Sequence, residues 1–132
     1  MIIIIIMMVK EEYILEATNQ ALKSPLSKKH GAIVIKDNKI IAKGFNRYIE
    51  ACSMKSSRKK LSVHAEKDAL SKVSKSDLVG TMLIVVRISP EGDLIMSKPC
   101  LNCQKFIKRM RVSTVYYSFS ILPKKYIKQN TN

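Results

Sequence analysis

The apolar positions of the chain recur with periods that change along its length. Tyr13, Ile14, Ala17, Ala21 and Leu22 follow helical spacing through Glu11–Lys23, and Pro25 ends the segment, which predicts an amphipathic first helix. Ala32–Ile35 and Lys39–Lys43 are rich in β-formers and flank Lys36-Asp37-Asn38, a turn sequence, so they read as an antiparallel hairpin. A polar stretch over Arg47–Lys60 reads as a loop. Ser62–Val73 then places Ala65, Ala69, Leu70 and Val73 on one side of a second helix, with Ser62 as its N-cap. Met82–Ile88 is a buried strand, and Ser89-Pro90-Glu91-Gly92-Asp93 turns the chain. Pro99 opens a third helix over Cys100–Met110, and Ser113–Ser118 is a further strand. The order α-β-β-α-β-α-β, closing on strand-helix-strand, predicts a three-layer α/β/α sandwich.

The ends are less regular. Met1–Val9 is an unbroken apolar run of nine residues, far short of the roughly 18 that a membrane span requires. A basic residue before it and a small-residue cleavage site after it would mark a signal peptide, and neither is present. An extra edge strand, a disordered tail and a misplaced start are the three readings of this run. Ile121–Ile127 supplies one last strand or none, and the polar, basic residues from Lys124 to Asn132 are expected to fray. With no internal repeat or linker, residues 10–128 read as one domain and 129–132 as a tail.

Composition narrows the class. A chain of 132 residues that is 46% apolar can bury one ordinary core. Four Gly, four Pro and no Trp exclude collagen-like and low-complexity chains. Three Cys, two of them in a C-x-x-C, point to a reducing, cytoplasmic setting and a metal or redox site rather than a disulfide framework. The net charge of +14 suits a phosphate-bearing partner. However, 19 of the 24 cations are Lys in an Ile- and Asn-rich chain, so a solvated lysine surface explains the same charge.

Of the two His, one lies in Val63-His64-Ala65-Glu66, and Pro99-Cys100-Leu101-Asn102-Cys103 follows downstream. A catalytic zinc takes three protein ligands and leaves a position for water, and His64, Cys100 and Cys103 supply three. Cys100 and Cys103 stand i, i+3 at a helix start, which turns both sulfurs to one side, where the positive helix end favours thiolates. Glu66, two residues beyond His64, can reach the attacking water without being a ligand. A structural zinc would take its fourth ligand from Cys52 or His30, which otherwise have no assigned chemistry. A redox C-x-x-C would leave His64-Ala65-Glu66 unexplained. Neither a Gly-rich phosphate loop nor an H-E-x-x-H is present, which excludes P-loop nucleotidases and that class of zinc protease.

His-Ala-Glu followed by Pro-Cys-x-x-Cys resembles the zinc-dependent cytidine/deoxycytidylate deaminase superfamily, over roughly Glu11 to Ser118. Gly31–Val34 with Asp37–Ile41 is similar to that family's first hairpin, and Gly44-Phe45-Asn46 to its G-x-N element. Thr81–Val86 and Val115-Tyr116-Tyr117 are similar to the strands that follow the two metal motifs. The resemblance implies a cytidine deaminase-like α/β/α sandwich with a mixed sheet of four to five strands. It also implies one catalytic Zn2+ per chain on His64, Cys100 and Cys103, and Glu66 as proton shuttle. Asn46 would hold the ribose, the Ala65 backbone would orient the base, and the chain would assemble as a homo-oligomer. Two departures stand out: Ser89–Lys98 is inserted where the family passes directly to Pro99, and Lys98 replaces the Glu that precedes that Pro in tRNA adenosine deaminases.

The implied activity is hydrolytic deamination of a cytosine nucleoside or nucleotide, foremost dCMP to dUMP, with Lys98, Arg47 and Arg58 as phosphate-binding candidates. The alternatives are a deaminase acting on cytosine or adenine within RNA (tRNA) or single-stranded DNA, and a non-catalytic deaminase-fold binding module. The expected partners are accordingly a small nucleoside or nucleotide, with nucleic acid as the alternative, and no membrane.

Overall fold

The computed structural model describes residues 2–4, 9–49, 61–119 and 125–130. Its elements in chain order are β1 (Ile2–Ile4), α1 (Glu11–Leu22), β2 (Lys29–Lys36), β3 (Lys39–Phe45), β4 (Arg47–Ile49), β5 (Leu61–Val63), α2 (Ala65–Leu70), α3 (Lys75–Leu78), β6 (Met82–Ile88), β7 (Leu94–Ile95), α4 (Leu101–Arg109), β8 (Thr114–Phe119) and β9 (Lys125–Asn130).

The sheet runs β1-β9-β8-β6-β2-β3, with β7 joined to β6. Five of these strands have six residues or more, and the short β1 and β7 bring the described sheet to seven. Among the described strands only β6 and β8 pair in parallel, the arrangement a strand-helix-strand unit produces. The β2–β3 hairpin closes through Asp37 and Asn38 at φ 51° and 62°, a two-residue turn whose twist matches its strands. The Tyr13 hydroxyl donates to the Asn38 carbonyl at 2.9 Å and ties the turn to α1.

Alternation along the strands separates two apolar layers. Ile33, Ile35, Ile84, Val86 and Tyr116 pack with Tyr13, Ile14, Ala17 and Ala21 of α1. Ala32, Val34, Leu83, Val85 and Val115 pack with α2, Leu78 of α3, and Cys103 and Ile107 of α4. Both faces of β2 and β6 are therefore covered, which explains their near-continuous apolar runs. This is the expected three-layer α/β/α sandwich. Among the described residues no helix is long and apolar enough to cross a membrane.

The structure corrects several boundaries. Ser62 does not cap the second helix: it lies in β5, paired with Tyr48 of β4, and His64 takes the cap position. Pairing Leu61–Val63 with Arg47–Ile49 satisfies backbone groups that would otherwise face loop, and it turns the start of the expected loop into a strand. Helix α3 and strand β7 were not anticipated. Lys125–Asn130 form an antiparallel partner of β8 where the sequence suggested a fraying end. Ile2–Ile4 pair with β9, the edge-strand reading of the apolar run. Cys52 and Arg58 lie outside the described residues.

Candidate active site

Helix α2 is placed by a missing side chain. A Cβ at Gly44 would stand 2.4 Å from the Ala69 nitrogen and 2.9 Å from the Ala65 carbonyl oxygen, so the helix backbone rests directly on β3. Asp68, 2% exposed, locks the same junction. Its carboxylate accepts from the Phe45 amide at 3.1 Å and from Arg47 Nη2 at 2.9 Å, with Lys72 Nζ at 3.6 Å. Asp68 escaped the sequence reading, although its placement four residues after His64 and four before Lys72 offered the signal.

Helix α4 is placed by two buried serines. Parallel pairing of β6 with β8 ends at Val85 and Tyr117, where the chain leaves along the β6–β7 hairpin. Ser97 brings it back: its amide donates to the Ser118 carbonyl at 2.8 Å and its hydroxyl to the Val85 carbonyl at 2.9 Å. Ser97 Oγ accepts from the Ser118 amide at 2.8 Å, and Ser118 Oγ accepts from the Arg87 amide at 3.2 Å. The hydroxyls thus serve backbone groups that the ladder no longer serves. Three residues later Cys100 caps α4, and Gln104 Nε2 donates to the Pro99 carbonyl at 2.8 Å.

The two helix starts converge. His64 Nδ1 lies 3.2 Å from Cys103 Sγ and 3.6 Å from Cys100 Sγ, and the three donor atoms all fall within 4.8 Å of one another. A tetrahedral zinc with ordinary bond lengths sets nitrogen and sulfur ligands about 3.6 Å apart, so the donor set fits that ion. Among the described residues no fourth His, Cys, Asp or Glu atom joins the group. Cys103 is buried, and that burial, with Glu66 and Cys100 beside it, pushes its thiol up; a bound dication reverses that tendency by favouring thiolate.

Glu66 is 4% exposed, and burial raises its carboxyl above the usual range against the weaker opposing pull of its own amide, His64 and Cys103. Ala65 is fully buried, its carbonyl turned toward Gly44. Asn46 is buried as well: Oδ1 accepts from the His30 amide at 2.8 Å and Nδ2 donates to the Lys28 carbonyl at 2.5 Å. Its side chain therefore clamps the entry of β2 to the exit of β3. His30 stays outside the metal group; burial lowers its imidazole to about 4 despite a hydrogen bond to the Lys28 backbone, with Arg87 and His64 adding to the effect. Of the phosphate-binding candidates, Arg47 is engaged by Asp68 and Lys98 is exposed.

A family model described as the cytidine and deoxycytidylate deaminase zinc-binding region matches residues 7–119. The dCMP deaminase of cyanophage S-TIM5 in apo form is 27% identical with a TM-score of 0.61, covering 85% of this chain and 83% of that one. A structure of the same phage enzyme with dCMP and dUMP gives 26%, 0.57, and coverage of 83% and 80%. Cytidine deaminase from Burkholderia pseudomallei shares the fold at 18% identity and a TM-score of 0.65, covering 93% of each chain. Comparison with curated proteins finds no match.

Proposed function

Because the chain belongs to the cytidine and deoxycytidylate deaminase zinc-binding family, we propose that it hydrolytically deaminates a cytosine nucleoside or nucleotide, with dCMP to dUMP as the preferred reaction. The observation that carries this reading is the convergence of His64, Cys100 and Cys103 on a site that also holds the buried carboxyl of Glu66. A zinc ion on those three ligands supplies Lewis acidity and lowers the pKa of water toward neutrality.

Glu66 moves the protons. Its carboxylate takes a proton from the attacking water as oxygen adds to C4 and gives it to N3. It then carries the proton of the new hydroxyl to the exocyclic nitrogen, so ammonia leaves and a C4 carbonyl remains. Burial raises Glu66, which suits a group that must both accept and release a proton near neutral pH. The Ala65 backbone orients the base. Asn46, anchored through Oδ1 and one amide hydrogen, keeps its second amide hydrogen for the sugar. The dCMP-bound phage enzyme at 26% identity supports the choice of nucleotide.

Ammonia release from cytidine, CMP, dCMP, adenosine and a short single-stranded RNA tests this reading, with Glu66→Ala as the control. Turnover of a free cytosine compound that disappears in Glu66→Ala while zinc stays at one per chain is expected. Silence on every small molecule, with zinc bound, would overturn it. The net charge of +14 favours a second reading, deamination within a polynucleotide, whose binding would fall steeply with salt.

A further inference from the structure

Beyond the metal group, the site-bearing face of the sheet carries one cation that nothing else in the described structure uses. Val86 and Ile88 belong to the α1 layer, whereas Leu83 and Val85 belong to the α2/α4 layer. Alternation along β6 therefore sends the Arg87 side chain to the side of α2 and α4. Across the ladder it stands in register with His30, whose amide is held by Asn46 Oδ1 at 2.8 Å. Arg87 thus stands beside the strand end that Asn46 clamps, on the face covered by α2 and α4.

One guanidinium nitrogen of Arg87 is unmatched among the described residues. Arg87 Nε is shut off from solvent and finds no hydrogen-bond partner, and no carboxylate pairs with Arg87 among the described residues. The imidazole beside it cannot compensate, because His30 donates to the backbone and carries no negative charge. Leaving a partly buried cation unpaired is costly, and a guanidinium offers the donor fork that phosphate oxygens match. The other described arginines do not compete for this role. Arg47 is held by Asp68, and Arg109 and Arg111 stand at the end of α4 opposite its cysteines.

We propose that Arg87 receives the phosphate of the substrate and so sets a preference for a nucleoside monophosphate over the free nucleoside. The proposal rests on the deaminase reading for the identity of the base, but the phosphate contact can be tested apart from it. The hairpin at whose base Arg87 sits, Arg87–Ile95, then becomes the wall beside the phosphate.

Steady-state kinetics of wild type, Arg87→Gln and Arg87→Lys on dCMP and deoxycytidine provide the first arm. Arg87→Gln is expected to lose roughly 10- to 100-fold in kcat/KM on dCMP, mainly through KM, with deoxycytidine unchanged. Arg87→Lys should recover part of the preference. Equal losses on both substrates, or none, would overturn the proposal. The second arm needs no turnover: inorganic phosphate should raise the Tm of the zinc-loaded wild type more than chloride at matched ionic strength, and Arg87→Gln should abolish the difference. If wild type turns over no substrate, the deaminase reading fails while this arm still decides Arg87. Should Arg87→Gln not fold, inorganic phosphate must compete with dCMP on wild type and less so on Arg87→Lys; absence of competition refutes the assignment. A single-stranded oligodeoxynucleotide separates the two sources of phosphate, since a loss confined to the oligonucleotide overturns the mononucleotide assignment.

Discussion

Gly44→Ala should damage catalysis more than its chemistry suggests. The added methyl would lie 2.4 Å from the Ala69 nitrogen and 2.9 Å from the Ala65 oxygen, both backbone atoms of α2. Ordinary contact begins near 3.4 Å, so the helix must retreat by about 1 Å, because no flexible side chain is available to give way. Its first turn carries Glu66, with His64 at the cap. A general base works within about 2.6–3.2 Å of the proton it takes, and a misplacement of about 1 Å costs on the order of 100-fold in rate, or about 2.7 kcal/mol. Overpacking itself costs about 1–3 kcal/mol of stability. Gly31→Ala is the comparison: its methyl would meet Ala17 O at 2.0 Å and Ala21 N at 2.5 Å, on α1, across the sheet. Stability from urea unfolding and kcat/KM from ammonia release should separate the two variants. Gly31→Ala loses stability and keeps most of its rate, whereas Gly44→Ala loses both. Equal rates in the two variants at matched stability would refute the idea that Gly44 positions Glu66.

Other outcomes follow from single contacts. Asp68→Ala strands the Phe45 amide and Arg47 and should cost about 2–3 kcal/mol in denaturant unfolding, whereas Arg47→Ala, half-exposed, should cost about 1 kcal/mol. Ser97→Ala removes the partner of the buried Ser118 amide and Val85 carbonyl, for about 1–3 kcal/mol; zinc affinity should fall with it, and unchanged affinity would disconnect Ser97 from Cys100. Burial holds His30 at about 4, below the roughly 6.5 of an unfolded chain, so the unfolded state binds the extra proton. Stability is then complete above about pH 6.5 and declines as pH falls toward 4, by roughly 2 kcal/mol after allowing for partial exposure. His30→Gln should flatten that slope, and an NMR titration midpoint near 6.5 in the folded protein would contradict the burial argument.

What the chain disclosed in advance depended on whether a local pattern or a distant partner decides each feature. Met82–Ile88 is the same strand in sequence and structure because β-branched residues covered on both faces leave one reading. The grouping of His64 with Cys100 and Cys103 was implied by the resemblance of the two motifs, and the position of each at a helix start agreed with it. Ser62 misled because a serine before a helical run resembles a cap, yet Tyr48, far back in the chain, claims it for a ribbon. Asp68 was hidden for a related reason: a carboxylate on a helix reads as solvated until Phe45 and Arg47 are seen beneath it. Asn46 was singled out through the resemblance alone, and its grip on Lys28 and His30 depends on how two strand ends meet.

The serine clamp separates the chemistry from the wall beside it. Ser97 and Val85 are joined through a hydroxyl–carbonyl bond, so the chain between them, residues 86–96, forms a closed excursion whose ends are fixed. Because Cys100 follows Ser97 by only three residues and α4 is anchored by the packing of Cys103 and Ile107, the metal ligands keep their positions whatever the hairpin does. The tip, Pro90–Gly92, closes on itself through the Gly92 amide and the Ser89 carbonyl at 2.9 Å and has no role in that anchoring. Shortening the tip should therefore alter discrimination between nucleotide and nucleoside, through Arg87 at its base, while zinc content and the Glu66-dependent rate on deoxycytidine stay at wild-type levels. A tip deletion that lost zinc would show that the hairpin, not the clamp, holds α4 in place.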